Sequence, residues 1–517
     1  MEAFELESEP SEPSAQRRSL VLDSDGSFHS GQAASASSTP GGGSSFSAYV
    51  NATNTILGAG TLAVPIAMSS AGLVSYELIT LFVVAVNFTT VNWLATVSDH
   101  LPKGTPRNYE GISRKYLGAA ASHVISLVFI FGSLSLCMSY MLFTAQSLAP
   151  IVAGWMSPSE LPSESELNRL SRILLWALGL GVVLPVGLLR DISKLKFTST
   201  VAIFALAYAA GFIVFCNLEA LAVQPRVGNG FQLVNVHSDF FLSLAMTTSN
   251  FSCHISAIPI YESLASRNAS TMKRVVALAL GTSALFYQVV GLTSYCRFGR
   301  LEAGKGGNIL EVVAESISLL ETPLRFALVS VASAGVAFCL AFSMPVVMWA
   351  LRSVILSYYQ AACAAHARSA GLPAEEVSEI ENGEPSMLEW YIATCFIMVV
   401  ILTLATLVPD VQVIMSLGGS LGGTFIAFMY PALFRLTVVK KVRSAREMLR
   451  LEHGAELGVI GMSILYGILC LSISLRKVYE EFLESSELEP IATVTSTTAT
   501  VTLTTTTATE LMSVFEI

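Results

Sequence analysis

Two stretches of this chain put polar and small residues where a membrane-crossing helix would carry leucine. The first, Asn51 to Pro65, reads NATNTILGAGTLAVP, and the second, Thr247 to Tyr261, reads TTSNFSCHISAIPIY. Inside a bilayer an interrupted helix is tolerated only where its freed backbone groups meet protein, water or a ligand. A half-helix N-terminus offers unpaired N–H groups and a positive dipole end to an anion, while freed carbonyls hold an ammonium or a small cation. A zwitterion with carboxylate and amine on one carbon suits that pair of ends. The candidate substrate-binding residues are therefore Thr55, Gly58, Ala59 and Gly60 in the first stretch and Ser249, Asn250 and Phe251 in the second. Close helix packing is the alternative use of Gly58 and Gly60, and Phe251 is a gate or side-chain wall, or one more aromatic in a helix bundle. His254 either satisfies its two nitrogens against neighbouring backbone or titrates as a pH sensor or coupling group.

The elements that must position these residues are long apolar helices. Of 517 residues 53% are hydrophobic and 13% charged, and the mean hydropathy is +0.61, which excludes a soluble multidomain protein. Apolar runs long enough to span a bilayer are expected near 46–68, 72–97, 120–152, 171–189, 197–218, 239–264, 275–297, 324–357, 388–409, 412–436 and 455–475. The expectation is an all-α polytopic membrane protein of eleven transmembrane helices. The two interrupted stretches fall in the first and sixth. A spacing of five spans is that of a five-plus-five inverted repeat, whose unwound helices meet near the midplane.

Residues 1–45 read as a disordered tail, residues 46–477 as the transmembrane domain, and residues 478–517 as a Thr-rich low-complexity tail. Most of the 29 Lys and Arg fall on one side if the N-terminus is cytoplasmic, which is the orientation the positive-inside rule selects. The acidic stretch from Glu375 to Glu384 reads as a solvated loop on that side, and the basic run from Arg435 to Arg450 as a positive-inside anchor. Eight cysteines without a CxxC pair argue against a disulfide framework or a zinc site. Gly58-Ala59-Gly60 with Ala63 fits GxGxxG/A, and Gly418 to Gly422 fits GxSxG. Both patterns need an α/β unit and both lie in apolar spans, so small residues spaced four apart are read as helix contacts.

The first span resembles the amino acid/auxin permease family, in particular its branch of sodium-coupled neutral and vacuolar amino acid transporters. Asn51, Asn54, Gly58, Gly60 and Leu62 match the N-x-x-N-x-x-x-G-x-G-x-L pattern of that branch. Phe251, Cys253, His254, Pro259, Ile260, Tyr261 and Glu262 match its sixth-span motif, and Pro185, Leu188, Leu189, Arg190 and Asp191 a stretch after span four. The resemblance covers most of residues 46–475 and implies a LeuT-like fold and amino acid transport. It also implies a sodium site at Asn54 and Ser343, the latter in Ser343-Met344-Pro345. The chain departs from the family at Ile255, where proline is frequent, and at Ser343, where threonine is common; a serine oxygen still serves as a ligand, and proton coupling stays open.

The expected activity is secondary active transport of neutral amino acids by alternating access, as symport with sodium or protons. The alternative is an amino acid sensor signalling through the N-terminal tail. No paired carboxylates, metal-ligand cluster or nucleophile-base set points to an enzyme, and no charged ring to a channel. No resident cofactor and no nucleic acid partner are expected. The partners are an amino acid and the bilayer, the chain acting as a monomer in a plasma or vacuolar/lysosomal membrane.

Overall fold

The computed structural model describes residues 44–487 apart from 59, 103–104, 159–161, 191–195, 225–226, 302–307, 318–321, 443, 445–446 and 448–449. Ala59, Asp191 and nearly all of both tails thus lie outside the described residues.

The chain begins with a broken pair. Helix α1, Ser45–Ile56, starts at Ser44, whose hydroxyl accepts from Ser47 N–H, and ends at Leu57. Helix α2, Gly60–Ala71, resumes after the break and carries Pro65. The long α3, Leu73–His100, and the short amphipathic α4, Tyr109–Tyr116, follow. Next come the long α5, Ala119–Met156, then α6, Glu164–Gly187, and α7, Lys196–Val223.

The same order then recurs. A second broken pair, α8, Ser238–Asn250, and α9, His254–Ser263, precedes the long α10, Ala269–Phe298. After it stand the short α11, Ile309–Glu315, and the long α12, Pro323–Ser369. A small added helix α13, Ala374–Asn382, separates them from α14, Met387–Leu407, and α15, Val411–Val439. A final helix α16, Gly454–Glu487, lies outside the repeat.

Packing carries the repeat into three dimensions. The first half of one broken pair lies against the second half of the other, α1 on α9 and α2 on α8. Helix α10 packs on α1 and α2, as α3 packs on α8 and α9. In the same way α5 lies against α15, and α12 against α7. This is a five-plus-five inverted repeat with both breaks at its centre.

Nine described helices are long and apolar enough to cross a membrane. The expected eleven counts each broken pair as one further crossing, but the half-helices are too short to qualify singly. Hydropathy also misplaced polar ends. Helix α12 has 47 residues, about 70 Å at the α-helical rise and far longer than a bilayer core of about 30 Å. Its end, past the expected boundary at 357, carries α13, with Val377 and Ile380 on Ala364 and Ala367 and an Arg368–Glu381 ion pair. The acidic stretch read as a loop therefore holds a docked helix. Likewise α16 runs ten residues past 477.

The eight cysteines are all free. The GxSxG pattern lies in helical α15, where an added Cβ at Gly419 would sit 2.0 Å from the Ala245 carbonyl oxygen of α8. Tyr466 of α16 donates its hydroxyl to Gly419 O at 2.9 Å. A Cβ at Gly422 would meet nothing within 4 Å. Gly419→Ala should therefore destabilise the protein by about 1–3 kcal/mol, and Gly422→Ala by no more than about 0.5 kcal/mol. Thermal unfolding of the purified variants checks the difference.

Candidate functional site

The two breaks have the same local cause. Each second half-helix has proline as its sixth residue: Pro65 in α2 from Gly60, and Pro259 in α9 from His254. The first turn of any helix leaves its N–H groups without intrahelical partners. Proline then removes the next helical donor. Each half-helix thus starts with a turn only loosely tied to its own helix.

Where the breaks meet, one tyrosine clasps both. Tyr287 of α10, fully buried, donates its hydroxyl to Ile56 O at the end of α1 at 2.6 Å, with Asn250 O at the end of α8 at 3.5 Å. Its ring meets Phe251 edge-on, centroids 5.3 Å apart. Asn87 of α3 donates to Phe251 O at 3.2 Å. The carbonyls released at both half-helix C-termini are therefore met by neutral side chains.

The Asn250 side chain is different. It is buried, yet neither its Oδ1 nor its Nδ2 has a hydrogen-bond partner among the described residues. It lies against the first residue of α2, so that a Cβ on Gly60 would stand 2.5 Å from Asn250 Oδ1 and 3.1 Å from the Tyr287 hydroxyl. Thr61 Oγ1 and Ser283 Oγ, the latter one turn before Tyr287, are also buried without partners among the described residues. Unmet buried polar groups each cost about 1–3 kcal/mol. Donors and acceptors gathered at two helix breaks are the material of a small polar binding site.

Helix α3 holds the second pair along its whole length. Asn87 with Phe251, Thr90 with His254 and Ser98 with Glu262 are each separated by 164 residues. A constant offset means that α3 and the broken pair run parallel in fixed register across the gap. His254 Nε2 lies 2.8 Å from Thr90 Oγ1, and its Nδ1 has no partner among the described residues. At the far end Tyr261 donates to both Asp99 oxygens at 2.7 and 2.8 Å. Glu262 accepts from Ser98 at 2.5 Å, pairs with Arg107, and lies 2.8 Å from Arg267.

The two sides of the site differ. On the α2 side, Asn235 donates from its backbone N–H to Ala71 O and from its amide to Ser70 O, both at 2.8 Å. Gln412 donates to Ser70 Oγ at 2.7 Å, Leu301 N–H to Ser69 Oγ at 2.8 Å, and Ser243 to Ala67 O at 2.7 Å. On the α1 side, α1 buries only a narrow stripe, Ala48, Ala52 and Ile56, and a small cleft of about 60 Å³ lies beside α9. The α2 side is tied by neutral hydrogen bonds and the α1 side by charged ones, at Asp99 and Glu262.

Residues 41–504 match the family described as transmembrane amino acid transporter protein. The chain belongs to this family. It is 25% identical over 446 residues to vacuolar amino acid transporter 5 of Schizosaccharomyces pombe, covering 84% of this chain and 94% of that protein. It is 23% identical over 441 residues to sodium-coupled neutral amino acid transporter 7 of Xenopus laevis, covering 82% and 88%. With solute carrier family 38 member 8 of Homo sapiens it shares 25% over 383 residues, covering 73% and 81%. These relatives are transporters, not enzymes. Among solved structures, the inward-facing conformation of Mhp1 aligns with a TM-score of 0.50 at 12% identity, covering 92% of this chain and 96% of that one. MhsT in complex with L-phenylalanine aligns with a TM-score of 0.48 at 11% identity, covering 84% and 98%. The architecture of this family member is LeuT-like and the protein is a multi-pass membrane protein.

Of the sequence candidates, Gly58, Gly60, Asn250 and Phe251 stand at the paired breaks, and Ser249 is half-buried beside them against α15. Asn54 and Thr55 are exposed on α1, Thr55 donating back to Asn51 O at 2.8 Å. Ser343 is half-buried on α12, with no hydrogen bond to Asn54. Sequence reasoning missed Tyr287, Asn87 and Thr90. The signal for the last two was on the page, polar residues three apart in an apolar helix; a lone tyrosine in α10 carries none. Gly60→Ala should push Asn250 and Tyr287 out of place and lower substrate affinity by about tenfold or more, read by equilibrium binding. Tyr287→Phe should cost about 1 kcal/mol of stability, read by thermal unfolding.

Proposed function

We propose that this protein moves neutral amino acids across a membrane by alternating access, the substrate held between the two helix breaks. The unpartnered Asn250 amide against the start of α2 carries this reading. An amino acid carboxylate would take the N–H groups of the loosened first turn at Gly60, and its ammonium the Asn250 Oδ1. Neutral substrates are favoured because the described side chains at the breaks are amides, hydroxyls and aromatics, with one imidazole and no carboxylate, lysine or arginine. Desolvating a charged substrate side chain there would go uncompensated.

The α1 side carries Arg107, Lys115, Arg267, Arg435 and Lys440, which supports a cytoplasmic N-terminus. The cleft beside α9 then faces the cytoplasm. Asn54 is exposed and makes no hydrogen bond to Ser343. A sodium site between them would assemble only when α1 seats against α12, so that opening inward releases the ion with the substrate.

Two measurements in proteoliposomes test this. Labelled neutral amino acids should accumulate under an imposed sodium or proton gradient, and Asn250→Ala should lower uptake at subsaturating substrate by about tenfold or more; no uptake of any amino acid by the wild type would sink the reading. Asn54→Ala should abolish sodium dependence while leaving amino acid binding measurable in sodium-free buffer, and unchanged sodium dependence would remove Asn54 from the ion site. If protons drive uptake instead, His254→Gln should flatten the pH profile.

A further inference from the structure

The α2 side carries one buried carboxylic acid to which the transport reading gives no task. Helix α11 lies across that side, packed on α2, α5, α7 and α12, and buries Ile309, Leu310, Val313 and Ala314. Asn308 fixes its start: its Oδ1 accepts from Leu310 N–H at 3.0 Å, and its amide donates to Ser147 Oγ of α5 at 2.7 Å. Earlier in the same connection, Leu301 N–H donates to Ser69 Oγ of α2. Helix α11 is thus docked as part of what closes this side.

Glu311 of α11 is 7% exposed, and its Oε2 has no hydrogen-bond partner among the described residues. No described basic side chain offsets its charge. Helix α2 has no ionisable residue, and the last one in α5 is Tyr140, ahead of Phe143 and Ser147. Helix α7 carries Tyr208, Cys216 and Glu219, with Lys196 at its opposite end, and α12 carries Arg325 and, further along, Cys339. Glu219 and Arg325 pair with each other at 2.5 Å. Glu302 and Lys305 lie outside the described residues. Burial pushes the Glu311 carboxyl well above its usual range, and Glu315, one turn on, adds to the rise. At such a place the carboxylate is far more costly to bury than the neutral acid.

We propose that Glu311 is a proton-binding site through which the pH on the α2 side sets how firmly α11 closes that side. Below the ordinary carboxylate range the acid is protonated whether α11 is docked or not, and docking is at full strength. As the pH rises through that range, undocked α11 releases the proton while docked α11 keeps it. Docking then weakens by up to about tenfold per pH unit until the raised value is reached. Acid therefore holds the α2 side shut, and neutral pH loosens it. The inference rests on the alternating-access reading, in which the α2 side must open for substrate to exchange there.

The test is backbone hydrogen exchange over Ile309–Glu315, read by mass spectrometry on the full chain in lipid nanodiscs from pH about 4.5 to about 8. Dividing the wild-type rate by that of Glu311→Gln at each pH removes the intrinsic pH dependence of exchange. Glu311→Met, also neutral, takes the place of the glutamine variant if unfolding temperatures show that only the methionine variant folds. The ratio should be lowest at the acid end and rise with pH by up to about tenfold per unit before levelling. A ratio that is the same at every pH, or that falls as the pH rises, would overturn the proposal. Failure of the transport reading shows separately, as absent uptake by wild-type proteoliposomes whatever the exchange result.

Discussion

A bilayer supplies no hydrogen bonds, so backbone freed in the middle of a membrane helix has to find partners within the protein. This chain frees backbone twice, at Leu57 to Gly58 and at Phe251 to Cys253, and the rest of the architecture answers that need. Each break is useless alone; brought together by the inverted repeat, they share Tyr287, which reaches the carbonyl ends of both first halves. The helix C-termini are thereby satisfied from within, while the N-terminal turn of α2 and the Asn250 amide are left facing one another. Among the described residues the Asn250 side chain is left unmet there.

Satisfying a break does not by itself keep the two halves aligned, and here α3 acts as the continuous rail. Its contacts at Asn87, Thr90 and Ser98 hold Phe251, His254 and Glu262 in one register. His254 is the first residue of α9, so its bond to Thr90 pins the start of that half-helix. A histidine in this position has a structural task even if it also exchanges a proton, and the free Nδ1 is the atom left for the second task.

The breaks were legible in the sequence because they violate composition: asparagine, threonine and paired glycines in the first span, and Ser, Asn, His and Pro in the sixth, have no place in a plain apolar helix. Their five-span spacing was equally legible, and with it the repeat. Partners were harder to read, since Tyr287 looks like any aromatic in an apolar run until α10 is known to lie across both breaks. Hydropathy also cannot see helices that leave the membrane without ending. Helix α12 keeps its hydrogen-bond ladder past residue 357 because nothing in Ser357 to Ser369 breaks a helix; only the window average falls. The same average hid α13, whose apolar residues Val377 and Ile380 are too few to register yet enough to dock on Ala364 and Ala367.

The two short helices occupy equivalent places in the repeat. Helix α4 is fixed to the start of α5 through Glu110 and Ser126, and to α15 through Tyr109, whose hydroxyl donates to Ile426 O at 2.9 Å. Near the other end of α5, Asn308 at the head of α11 donates to Ser147 Oγ at 2.7 Å. Helix α5 is thus bonded to a short helix near each of its ends. Just before α4, Arg107 reaches the end of α9 through Glu262, in an ion pair whose side chains are 32% and 19% exposed. Pairs that accessible to water contribute about 0–1 kcal/mol and exchange readily with solvent. The opposite side is closed instead by neutral hydrogen bonds onto the last turn of α2, from Asn235, Gln412 and Leu301. One side is thus held by neutral hydrogen bonds, and the other by contacts that water can replace one at a time.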